Sequence, residues 1–97
     1  MTKNRVDILV QQIKNISPKA DHYKDSGYLI EIDNDSLEII YKDQRYTVKV
    51  VEEDGSFYWH LKPYNNSYYR TIIDSTGNHF DMVLFAIKEN EELYGKE

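Results

Sequence analysis

Across residues 28–62 apolar and polar side chains alternate in four consecutive runs, and this period of two constrains the fold more than any other feature. Alternation places every second side chain on one face of a β-strand. Tyr28, Ile30 and Ile32 alternate with Leu29, Glu31 and Asp33; Leu37, Ile39 and Tyr41 alternate with Glu38, Ile40 and Lys42. Tyr46, Val48 and Val50 alternate with Arg45, Thr47, Lys49 and Val51, and Phe57, Trp59 and Leu61 with Tyr58, His60 and Lys62. The pieces between are turn formers: Asn34-Asp35-Ser36, Asp43-Gln44, and Asp54-Gly55, the last a strong two-residue hairpin signal. Links this short cannot carry a crossover, so the runs should pair antiparallel in chain order. Residues 63–67 read as a turn and residues 68–73 as a fifth, shorter strand.

On either side the period changes to that of a helix. Val6, Leu9, Val10, Ile13 and Ile16 make one apolar stripe, with Thr2 as N-cap and Ser17-Pro18 as the stop. Residues 18–26 are polar and aperiodic and read as a loop. A second helix is expected over residues 78–93, with Phe80, Val83, Leu84, Ile87 and Tyr94 on its stripe and Asn78 and Asp81 placed for a capping box. Glu89, Glu91 and Glu92 oppose the dipole at its C-terminal end, which favours fraying there.

A sheet with one apolar face has to be covered on that face. The expected architecture is therefore α+β: an N-terminal helix, a four- or five-stranded antiparallel meander and a C-terminal helix, the helices on one face of the sheet. Ninety-seven residues suffice for one core, so residues 1–97 form a single domain. The opposite face stays open, with Leu29, Glu31, Glu38, Ile40, Lys42, Arg45, Thr47, Lys49, Val51, Tyr58, His60 and Lys62 on it.

The absence of cysteine rules out disulfides and thiolate metal sites and fits a reducing compartment. No secretory signal and no apolar run of about 18 residues occurs, so a cytoplasmic protein without a membrane span is expected. Ala stands only at positions 20 and 86 while Ile, Tyr, Lys and Asn abound, the usage of an AT-rich bacterial or phage genome. The net charge of −5 is uneven, +3 over residues 1–20 and −8 over residues 21–97. An acidic body does not suit phosphate contacts, so direct nucleic-acid binding is not expected. The order of elements resembles that of double-stranded-RNA-binding domains, but residues 77–81, where that family has a basic helix start, carry neither Lys nor Arg.

Catalytic constellations are missing from the sequence. His22, His60 and His79 lie far apart in the chain, and no nucleophile elbow, metal-binding His pair or Gly-rich phosphate loop is present. The run from Asp33 begins like a calcium loop, yet its sixth position is Glu38 rather than Gly and its twelfth Gln44 rather than Glu. Neither a metal nor a cofactor is expected, and an enzyme is not.

Recognition of another protein is what remains. Tyr58, His60, Tyr64, Tyr68, Tyr69 and Arg70 crowd one strand-turn segment, and Tyr and Arg are frequent interface anchors. The leading expectation is a small non-enzymatic protein-binding module, a bacterial or phage accessory or regulatory protein. The alternative is an acidic inhibitor that mimics nucleic acid through Glu31, Asp33, Asp35, Glu38, Glu52, Glu53 and Asp54. A homodimer through the open face or an edge strand is compatible with either.

Overall fold

The computed structural model describes residues 4–33 and 35–94. Helix α1 (Arg5–Ile16) leads through a 3₁₀ turn (Ser17–Lys19) into a short helix α2 (Ala20–Asp25). Strands β1 (Tyr28–Asp33), β2 (Ser36–Tyr41), β3 (Gln44–Glu53), β4 (Ser56–Lys62) and β5 (Arg70–Asp74) follow, then helix α3 (Phe80–Tyr94). The strands form one antiparallel sheet in chain order, β1-β2-β3-β4-β5. No helix among the described residues is long and apolar enough to cross a membrane.

Turn chemistry sets the register. Lys42 and Asp43 both take positive φ (52° and 65°), as do Asp54 and Gly55 (53° and 81°), so both tight turns bend with the right-handed twist of their strands. The first turn is centred one residue earlier than expected, at Lys42-Asp43, because Tyr41 pairs with Gln44. Lys42 thereby leaves the open face. β5 begins at Arg70 rather than at residue 68, and a register shift at Trp59/His60 bends it.

Leu37, Ile39, Tyr41, Tyr46, Val48, Val50, Trp59 and Leu61 are buried on one face, in the pattern the alternation predicts. Ile8, Leu9 and Ile16 of α1, Tyr23 of α2, and Phe80, Val83, Leu84, Ala86 and Ile87 of α3 close over them. Trp59 meets the Phe80 ring edge-on, centroids 5.4 Å apart, at the centre of this layer.

Several expectations about the helices are corrected. Val6 and Val10 lie outside the core, 46% and 47% exposed, while Ile8 and Gln12 are buried. Helix α1 is rolled so that the Gln12 side-chain amide donates to the Ser75 and Gly77 carbonyls at 2.8 and 3.0 Å, satisfying backbone acceptors where β5 leaves the sheet. Its N-cap is Asn4, in a reciprocal capping box with Asp7; Thr2 lies outside the described residues.

Residues 18–26 are not a loop. Pro18 sits where a helical turn needs no N–H, and Tyr23 anchors α2 by packing on Phe80 and donating its hydroxyl to Asp81 at 3.3 Å. Helix α3 starts at Phe80, so Asn78 lies before it and the His79 carbonyl accepts the Met82 N–H. Its buried stripe ends on Asn90 and Glu91 rather than on Tyr94, which is exposed. The cause is Tyr46, whose hydroxyl reaches from β3 to donate to Glu91 Oε2 at 2.6 Å and accepts from Asn90 Nδ2 at 3.2 Å.

Candidate protein-binding surface

On the open face β4 presents Tyr58, His60 and Lys62, flanked by Val51, Lys49 and Thr47 of β3. Across β4, Thr71 stands opposite His60 and Asp74 opposite Tyr58. Tyr58 and His60 are half-buried by these neighbours. The loop from β4 to β5 then returns Tyr69 onto the same face. Lys49 Nζ lies 4.1 Å from the Tyr69 ring centroid, a cation–π contact worth about 0.5–1 kcal/mol at an exposed site. The His60 ring stands 6.3 Å away on the tyrosine's other neighbour strand. Tyr69 is thus held over the sheet rather than left free in the loop.

His60 makes its two polar contacts through a single nitrogen. Nε2 lies 3.0 Å from Thr71 Oγ1 and 3.7 Å from Glu53 Oε2. A hydroxyl–imidazole–carboxylate relay needs the acid on the other ring nitrogen, so these three groups are not arranged as a nucleophile, a base and its orienter. Burial pulls the His60 pKa below its ordinary value; Glu53 opposes this and Lys49 adds to it. Among the described residues no group of three His, Asp or Glu side chains is arranged to hold a metal ion.

The six residues expected as contacts do not form one patch. Tyr58, His60 and Tyr69 share the open face. Tyr64 packs edge-on against Tyr46, centroids 5.5 Å apart, and so belongs to the opposite, helix-covered side. Tyr68 stands at the loop tip, 77% exposed, its N–H donating to Asn66 Oδ1. Arg70 lines a shallow groove with Asn65, Asn66, Asn90 and Tyr94. Lys49 and Thr71 complete the surface. Lys49 is legible as an open-face residue from its place between Val48 and Val50, but nothing in the sequence links it to Tyr69.

Comparison of the chain with family models, with curated proteins and with solved structures returns no match.

The carboxylates of the first hairpin are largely neutralised. Arg45 reaches Glu31 at 3.3 Å and Glu38 at 3.7 Å, and Arg5 meets Asp35 at 2.6 Å. The Arg5 guanidinium holds the Asp35 carboxyl below the usual carboxylate range. Glu52, Glu53 and Asp54 differ in position. They lie on the part of the β3–β4 hairpin that runs past the last β2 pairing, Leu37 with Val48.

Proposed function

We propose that this chain is a non-enzymatic protein-binding module whose contact surface is the open face of β3, β4 and β5, with Tyr58, His60 and Tyr69 at its centre and Tyr68 at its rim; Arg70, opposite the core residue Leu61, belongs to the helix-covered side. The supporting observation is the fixed placement of Tyr69 over Lys49 beside His60. Aromatic anchors bind best when their rotamers are restricted before the partner arrives, since the ordering cost is then already met. An accessory or regulatory role suits a surface of this kind. The single-nitrogen contacts of His60 support the non-enzymatic part of the proposal.

Affinity capture with the full chain, repeated with Tyr58→Ala and Tyr69→Ala, tests the proposal. Each substitution should weaken the captured complex about tenfold or more, the loss typical of a buried aromatic anchor. Tyr64→Ala should leave it nearly unchanged, since Tyr64 packs on the other side. Capture that is indifferent to both Tyr58→Ala and Tyr69→Ala would refute it.

A second proposal, inhibition by nucleic-acid mimicry, draws its support mainly from the Glu52-Glu53-Asp54 hairpin, because Arg5 pairs with Asp35 and Arg45 with Glu31 and Glu38. It predicts a complex that weakens steeply with salt and is lost on Glu52→Lys with Asp54→Lys. The aromatic surface predicts shallow salt dependence and survival of that double substitution.

A further inference from the structure

The strand order leaves two edges, β1 and β5. An edge strand exposes a row of unpaired N–H and C=O groups, and proteins blunt such edges with bulges, prolines, lysines or brevity. β5 has five residues, a register shift against β4 and an arginine at its start. β1 has no bulge, proline or lysine, and its only charged side chains are Glu31 and Asp33. Its six residues, Tyr-Leu-Ile-Glu-Ile-Asp, pair with β2 in uninterrupted register. Among the described residues, no backbone hydrogen bond beyond the sheet's own involves residues 28–32.

Side chains beside this edge are left open as well. Ile32 points to the core side, opposite Leu37, yet it is 59% exposed. Ile30 and Ile32 line an apolar groove with Ile13, Ile16, Ala20 and Leu37. The backbone row calls for an extended chain, and the groove calls for one whose alternate residues are apolar.

We infer that β1 is the docking edge for a second copy of this chain, the two β1 strands pairing antiparallel about a two-fold axis at Ile30. Two residues separate the Asp33–Ser36 pair, which makes it a hydrogen-bonded pair. By alternation Tyr28, Ile30 and Ile32 then direct their backbone N–H and C=O groups outward. Centring on Ile30 opposes Ile30 to its own copy and Ile32 to Tyr28 of the second copy, which uses all three outward residues and forms about six backbone hydrogen bonds. Centring one residue either way uses fewer outward residues. It also opposes Glu31 to Glu31 in one direction or Leu29 to Leu29 in the other. With the Ile30 centre Leu29 faces Glu31 of the second copy, and Glu31 is already compensated by Arg45. The strand is thus complementary to itself in its backbone and, on the core side, in the apolar pairs Ile30–Ile30 and Ile32–Tyr28.

Sedimentation velocity of the full chain over a range of micromolar concentrations tests this. The wild type should move from one chain mass to two as concentration rises. Ile32→Lys replaces an exposed side chain, so it should keep the circular dichroism spectrum while returning the chain to single mass. Leu29→Lys should keep the dimer or tighten it, because the new ammonium faces Glu31 of the other copy. A single-chain mass throughout overturns the inference, and so does a dimer that survives Ile32→Lys. Dissociation by Leu29→Lys overturns the Ile30-centred pairing. Dissociation by Tyr58→Ala moves the contact to the open face and overturns the edge assignment.

Discussion

Replacing Tyr46 by Phe removes one hydroxyl and leaves the packing around its fully buried ring intact. That hydroxyl donates to Glu91 Oε2 at 2.6 Å, and Glu91 is only 8% exposed, so water has little room to replace the lost donor. A hydrogen bond to a charged group contributes about 1.5–3 kcal/mol, and the Asn90 amide loses an acceptor in the same step. The expected loss is about 2–3 kcal/mol, or a fall in Tm of about 10–20 °C for a domain of this size. Urea unfolding at neutral pH should show a lower midpoint with an unchanged slope. Glu91→Gln keeps an acceptor for the tyrosine without the buried charge, so it should cost about 1 kcal/mol or less. In the Tyr46→Phe background the same change should be neutral or stabilising, since it removes the stranded carboxylate. A Tyr46→Phe loss under about 0.5 kcal/mol, within the range of ordinary surface substitutions, would refute the assignment of Tyr46 and Glu91 as a coupled pair.

The Ser75 hydroxyl is fully buried and has no partner among the described residues; Ser75→Ala should raise stability by about 1 kcal/mol, read as a higher urea midpoint. Burial, with Asp81 beside Tyr23 and Tyr41 beside Tyr28, pushes both pKa values up to about 12, and burial raises Tyr46 as well. An acid with a raised folded pKa stabilises the fold fully below its unfolded value of about 10 and progressively less above it, here by about 1.4 kcal/mol per pH unit for each tyrosine. Alkaline titration at 295 nm should therefore show these three of the nine tyrosines ionising only as the circular dichroism signal is lost. Reversible ionisation of all nine with the fold intact would contradict this. For His60 the sign reverses: its folded pKa is lowered, so its contribution is complete above about pH 6.5 and declines as pH falls below that. Its imidazole proton resonances should titrate with a midpoint below 6.5.

The sheet was legible because each strand reports its own burial. Leu37, Ile39, Val48, Val50, Trp59 and Leu61 are buried for the same local reason that their neighbours in sequence are not. The helices were legible in extent but not in rotation. Val6 and Val10 are more apolar than Gln12, yet Gln12 is buried because it bonds carbonyls 63 and 65 positions away. Distances of that kind leave no trace in a local window. Apolar spacing puts Tyr94 on the stripe of α3 and leaves Asn90 and Glu91 off it, since polarity argues against burial unless a partner such as Tyr46 is known. Helix α2 has no period to detect; one buried tyrosine holds it. At the candidate surface, alternation placed Tyr58 and His60 together. It could not do so for the aperiodic loop, where Tyr64 and Tyr69 go to opposite sides of the sheet.

The β1 edge and the aromatic surface are distinct, and their combination has a measurable consequence. A two-fold axis perpendicular to the sheet keeps the same face of both copies on the same side, so a β1-paired dimer presents two Tyr58–His60–Tyr69 surfaces in one direction. Two sites so arranged engage a surface-immobilised partner through an effectively intramolecular second contact, and apparent affinity can rise by a hundredfold or more, on the order of 10²–10⁴. Ile32→Lys should then lower apparent affinity for a densely immobilised partner while leaving one-to-one affinity in dilute solution unchanged. Tyr69→Ala should lower both. If Ile32→Lys weakens the one-to-one complex as strongly as Tyr69→Ala does, the partner contacts the β1 edge itself, and the two surfaces are one site rather than two. If it changes neither measurement although the dimer is lost, the paired faces do not reach the partner together.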